Sequence, residues 1–170
     1  MKNINAVIAL FLVLLAVFIG GSACSKPTVL LSTSATPCGG GTVTPFGGTY
    51  QKGDSVTLVA VPAKYYSFSG WSGDISGLTN PITVEMNSNK NIVASFAKIL
   101  YSLQTSVERQ GNGTVDPKSG SYEAGSTVEV TAFPETGYRF DHWSGSATGT
   151  TNPVSILIDG DKAVTAYFIQ

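Results

Sequence analysis

From Thr28 onward the apolar residues fall at every second position, in short runs broken by glycine, proline and asparagine. Val56, Leu58 and Ala60 alternate with Thr57, Val59 and Val61. Val128, Val130 and Ala132 alternate with Glu129, Thr131 and Phe133, and Glu129 marks which face is wet. The same spacing runs through Ile82, Val84 and Met86, through Ile92, Ala94 and Phe96, and through Val154, Ile156 and Ile158 with Val164, Ala166 and Phe168. A period of two is the signature of a half-buried β-strand. Leu30–Thr33 and Leu103–Ser106 predict an earlier strand. It leads into Gly39-Gly40-Gly41 and Gly111-Asn112-Gly113, which read as hairpin turns because tight turns need positive φ. A further strand passes through Val43 or Val115, and the proline after it (Pro45, Pro117) places it at an edge or a bulge. The pattern thus predicts an all-β chain of five short strands, written twice, with no long amphipathic helix.

The doubling is literal. Aligning the chain with itself at an offset of 72 residues makes 26 of 71 positions identical without a gap. Repetition at a fixed period marks a tandem array of one structural unit. The modules are residues 28–98 and 100–170, each about 70 residues and close to the lower size at which one core holds a fold. A connection as short as Lys98–Leu100 restricts relative motion and predicts a rod-like pair rather than beads on a string.

The best-kept stretch is Tyr66-Ser67-Phe68-Ser69-Gly70-Trp71-Ser72-Gly73, matched by Tyr138-Arg139-Phe140-Asp141-His142-Trp143-Ser144-Gly145, and it holds both tryptophans of the chain. It lies in a connection of about 20 residues between the third and fourth predicted strands, a length that needs tying down. One turn of helix would bring Phe68 and Trp71, or Phe140 and Trp143, to one side as an aromatic plug. Such burial is worth about 25 cal/mol per Å² of apolar surface. Gly73 and Gly145 let the chain turn away, and Asn80-Pro81 and Asn152-Pro153 restart it extended.

The N-terminus is of another kind. Residues 1–23 carry Lys2, the unbroken apolar run Ala6–Gly20 and the small residues Gly21-Ser22-Ala23, and so read as an export signal rather than part of the fold. The run is shorter than the roughly 20 residues a membrane span needs. Small residues directly before Cys24 resemble the bacterial lipobox, whose cysteine takes a lipid, although Gly21 stands where that pattern favours leucine. Cleavage after Ala23 by ordinary signal peptidase and an uncleaved anchor both stay open, and all three readings export the protein. Residues 24–27 form a short tether. If Cys24 is lipidated, Cys38 is left alone; if it stays free, a Cys24–Cys38 disulfide fits an exported protein. Cys38 has Gln110 as its counterpart and is incidental to the module.

Charge excludes more than it assigns. The net charge is −1, with charged residues at 12%, and no basic stripe suits nucleic acid. Asp141, His142 and Ser144 lie too close in sequence for each group of a triad to point at the next, and the first module has Ser69, Gly70 and Ser72 there. Asp159-Gly160-Asp161 reads as a polar turn, since a calcium loop needs further oxygen ligands. Asn112-Gly113-Thr114 reads as a turn before it reads as a glycosylation sequon. No catalytic residue, metal site or cofactor is expected. A gapless duplication leaves no inserted loop to house an active site.

The string G-T-V-x-P, Y-x-x-G-x-x-V, A-x-P, Y-x-F-x-x-W-S-G, N-P and A-x-F is similar to the divergent internalin-B B-repeat, a module of bacterial surface proteins. The first copy departs from it at Tyr65, where the pattern has the glycine that Gly137 keeps. The resemblance covers both modules. It implies a β-rich, β-grasp-like unit, used in tandem as a spacer or adhesive module, with no catalytic residues to carry over. The resulting expectation is a non-enzymatic envelope lipoprotein, anchored to the membrane through Cys24, whose modules space or bind a surface protein. The alternative is a carbohydrate-binding surface protein that uses exposed rings. Tyr65, Tyr101 and Tyr167, which do not repeat between the modules, are the candidate ligand contacts. Tyr50/Tyr122 and Tyr66/Tyr138 repeat, which favours the core.

Overall fold

The structure, a computed structural model, describes residues 25–108 and 112–170. The export signal and Cys24 lie outside the described residues. Fourteen strands and no helix make up the described chain, seven strands to each module. The first module contains β1 (Thr28–Thr36), β2 (Gly41–Thr44), β3 (Gly47–Gln51), β4 (Ser55–Pro62), β5 (Tyr66–Gly73), β6 (Ile82–Glu85) and β7 (Lys90–Lys98). The second repeats the order as β8 (Leu100–Val107), β9 (Gly113–Asp116), β10 (Gly120–Glu123), β11 (Thr127–Pro134), β12 (Arg139–Gly145), β13 (Val154–Leu157) and β14 (Lys162–Ile169).

Each module is built from two sheets. In the first, a four-stranded sheet has the order β3-β1-β7-β5 and a three-stranded one the order β2-β4-β6. The second repeats both, as β10-β8-β14-β12 and β9-β11-β13. The pairs β1·β7 and β8·β14 are parallel and the rest antiparallel. The inward faces of both sheets supply the core. Leu31, Trp71, Ile92, Ala94 and Phe96 come from the four-stranded sheet, and Val43, Val56, Leu58, Ala60 and Val84 from the three-stranded one. Leu103, Trp143, Val164, Ala166 and Phe168 with Val128, Val130, Ala132 and Ile156 form the second core. The two-residue periods therefore identify the buried faces correctly. In place of the single sheet and crossing helix of a β-grasp, two sheets enclose the core.

Two sequence expectations are corrected. Seven strands replace the expected five, because Gly47–Gln51 and Tyr66–Gly73, with their counterparts in β10 and β12, are strands as well. The former is too short and glycine-rich to show a period, and the latter has its period broken by a bulge. The glycine cluster at Gly39–Gly41 is not a paired hairpin. Strand β1 pairs only with β3 and β7, and β2 only with β4, so the turn carries the chain from one sheet to the other.

Candidate functional site

The Trp stretch is the centre of each module, and its conformation is extended rather than helical. In a regular strand residues i and i+3 face opposite sides. Here one extra residue, Ser69, shifts the register, so that Phe68 opposes Phe96 while Gly70 opposes Ser95 and Trp71 opposes Ala94. The bulge returns Phe68 and Trp71 to one face, with ring centroids 5.2 Å apart. Asp141 is the extra residue in β12, and Phe140 and Trp143 lie 5.0 Å apart. Phe96 and Phe168 complete each cluster at 6.0 and 6.1 Å. The plug exists, but a bulge makes it.

Each tryptophan also staples the loop after it. Trp71 donates its backbone N–H to Gly77 O at 2.8 Å and its indole N–H to Thr79 O at 2.9 Å. Trp143 does the same to Gly149 and Thr151 at the same distances. Next in the chain, Asn80 reaches back to Ala60, accepting its N–H at 2.9 Å and donating to its carbonyl at 2.7 Å. Its amide acts as one more rung on β4. Asn152 does likewise for Ala132, at 2.9 and 2.8 Å. The loop folds back along the outer edge of β5 or β12 and covers backbone that would otherwise invite pairing with another chain. Gly73 and Gly145 are required by close approach, since a Cβ there would strike the carbonyl oxygens of Asn91 and Ala163. Trp71 and Trp143 are only 4% and 1% exposed, so the repeated motif faces the core and not a ligand.

The non-repeating tyrosines part company. Tyr101 pairs across from Tyr122 and packs, half-buried, on the second core. Tyr167, on the outer face of β14, stacks on His142 at 4.4 Å with 13° between ring planes. His142 Nδ1 lies 2.8 Å from Asp141 Oδ2. This Asp–His–Tyr group lies on an open sheet face, and no hydrogen bond joins Ser144 to it. Tyr65 lies at the junction of the modules, its ring against Gly125. The structure thus scatters the three tyrosines instead of gathering them into a site.

The Asp159 turn is also accounted for. Asp159 pairs with Lys162, and Asp161 accepts from the N–H and Oγ of Ser102 at 2.8 and 2.9 Å. The Lys162 hydrogen bond and charge hold the Asp159 carboxyl below its ordinary pKa, and the Ser102 bonds do the same for Asp161. No group of three or more His, Cys, Asp or Glu that could hold a metal occurs among the described residues. Cys38 is exposed and has no disulfide partner among the described residues.

Two features escaped the sequence. Phe46 is 88% exposed, beside a shallow cleft of about 100 Å³ lined by Thr33, Ala35, Gly41 and Val43. At the same place in the second module, Thr105, Val107, Gly113 and Val115 line an open cleft of about 530 Å³, with Lys118 where the first has Phe46. Exposure of an apolar loop residue leaves no mark on a two-residue period.

The fold therefore defines a tandem all-β repeat protein, with its repeated motif spent on architecture. The model of the divergent InlB B-repeat domain matches residues 31–100 and 103–170, nearly all of both modules. The chain belongs to this family, and tandem modules of the kind point to a bacterial surface repeat protein outside the cytoplasm. A search of curated proteins and a search of solved structures each found no match.

Proposed function

We propose that the protein is a non-enzymatic lipoprotein of the bacterial envelope, anchored through Cys24, whose two modules act as a stiff spacer carrying an interaction face away from the membrane. The observation that carries this reading is the junction. Strand β7 ends at Lys98 and β8 begins at Leu100, which leaves Ile99 alone between them. Ile99 donates its N–H to Tyr65 O in the first module at 3.0 Å, and its carbonyl accepts from Ala124 N of the second at 2.8 Å. A linker of one residue, hydrogen-bonded on both sides and backed by the Tyr65 ring resting on Gly125, has little freedom to hinge.

The test has two arms. Mass spectrometry of the mature N-terminal peptide is expected to find a lipid on Cys24, and Cys24→Ser to move the protein from the membrane to the soluble fraction. An unmodified mature N-terminus would sink the anchor. Labelled residues 26–170 are then incubated with cell surfaces and envelope polysaccharide. Binding to protein-bearing surfaces makes the modules adhesive, and no binding leaves the spacer.

A carbohydrate-binding reading has one observation in its favour, the open cleft of the second module, lined by Thr105, Ser106, Thr114 and Ser119 together with Lys118. Saturable polysaccharide binding that Lys118→Ala abolishes would select it.

A further inference from the structure

We propose that the turn at Tyr65 is a docking surface built for a following B-repeat module, and that its partner is the glycine turn at Gly125. The inference does not depend on where the protein resides. Tyr65 is the only non-glycine residue with positive φ among the described residues, at 69°. A bulky side chain avoids this region, and the second module places Gly137 there at φ 90°. The exception has a visible return. A Cβ built on Gly125 would come within 2.7 Å of the Tyr65 ring carbons Cδ2 and Cε2, so the ring lies directly on the glycine. Lys64 Nζ lies 4.7 Å from the ring centroid on its own side of the junction and helps to hold the ring in place.

The equivalent surfaces elsewhere in the chain are built differently. Gly137 has open space where a Cβ would point, and it follows Glu135-Thr136 in place of Ala63-Lys64. Gly53, the counterpart of Gly125, meets nothing within 4 Å among the described residues, and beside it Lys52, Asn87 and Asn89 replace Ala124, Asp159 and Asp161. Yet the backbone around Gly53 is the same. Lys52 N–H bonds to Pro27 O at 2.8 Å as Ala124 N–H bonds to Ile99 O, and Gly53 N–H bonds to Met86 O at 3.0 Å as Gly125 N–H bonds to Ile158 O. The two turns share one frame and differ in what meets them, the Tyr65 ring at Gly125 and nothing among the described residues at Gly53. The contact is therefore keyed: the top of the first module fits the base of the second, and the top of the second does not fit the base of the first.

Residual dipolar couplings of residues 25–170 test the proposal. The wild type is expected to fit one alignment tensor for both modules. Tyr65→Gly, which suits the backbone and spares the fold, is expected to require two. A single tensor in Tyr65→Gly, or two in the wild type, would overturn it. A double-mutant cycle gives an independent reading through the melting temperature. Gly125→Ala strains the backbone whatever faces it, so it is measured with Tyr65 and again with Tyr65→Gly. The drop in melting temperature is expected to be clearly larger when the ring is present, and to shrink without it to about that of Gly53→Ala. Equal drops in both backgrounds would mean that the ring and the glycine do not read one another.

Discussion

Asn80 and Asn152 each supply, with one side chain, the pair of bonds that a neighbouring strand would make to Ala60 or Ala132. A net hydrogen bond of this kind contributes about 0.5–1.5 kcal/mol, and an orphaned part-buried partner costs more. Asn80→Ala is expected to destabilise the first module by about 2 kcal/mol in urea denaturation. Asn80→Asp should cost at least as much, since a carboxylate can accept from Ala60 N–H but turns a second acceptor towards its carbonyl. A loss below about 0.5 kcal/mol, within the range of neutral surface changes, would show that water replaces the amide. A neighbouring tie carries a built-in comparison. Leu30 N–H bonds to Asn89 Oδ1 at 2.8 Å in the first module, and Ser102 N–H bonds to Asp161 Oδ1 at 2.8 Å in the second. Only the aspartate titrates. Its folded pKa lies below the ordinary value of 3.8, so its contribution is complete above that value and is lost as pH falls through the lower one. Amide exchange at Ser102 is expected to speed up below about pH 3.8 relative to Leu30, once the intrinsic rate is removed, and Asp161→Asn to abolish the difference.

Strands β5 and β12 depend on one residue more than regular pairing allows. Deleting Ser69 and Gly70 together would keep every aromatic residue but make Phe68 and Trp71 neighbours, which face opposite sides of a strand. Loss of a buried tryptophan costs about 3–5 kcal/mol, which a module of this size does not survive. The expected result is a red-shifted, solvated Trp71 and one cooperative unfolding transition, that of the second module. Deleting Asp141 and His142 together should mirror it in the second module. Retention of both transitions would mean that the strand slips elsewhere to recover its register. The spacing of Phe68 and Trp71 was visible in the sequence, and so was the need to bring them together. The means was not legible, because a single helical turn and a one-residue bulge both align residues three apart, and only the pairing with β7 distinguishes them. Strands β3 and β10 were missed for a related reason. Gly47-Gly48-Thr49 offers no apolar alternation, and its strand character is imposed by pairing with β1.

At the scale of the whole molecule, the junction predicts a closed pair. The Gly137 turn has no ring to offer the Gly53 turn, so head-to-tail association of copies is not encoded. Sedimentation over a wide concentration range is expected to give the mass of one chain throughout. Concentration-dependent filaments would contradict the keyed fit.

The sequence by itself determined that the chain is a β-protein, that it is written twice, and which face of each regular strand is buried. These are local or periodic properties, and a hydrophobic pattern records them directly. It also set Tyr65 apart as a departure from its own repeat. What only the tertiary structure decided is how strands distant in the chain meet. The division into two sheets, the bulge that aligns the aromatic rings, the asparagine that stands in for a strand, and the turn on which Tyr65 rests all arise from contacts across long separations. Tyr65 shows the limit most plainly. As a lone exposed ring it read as a ligand contact, and only the folded chain shows that it rests on Gly125 of its own second module. A one-dimensional pattern registers burial at a position but not the identity of the surface that buries it, because that surface is assembled only when the chain folds.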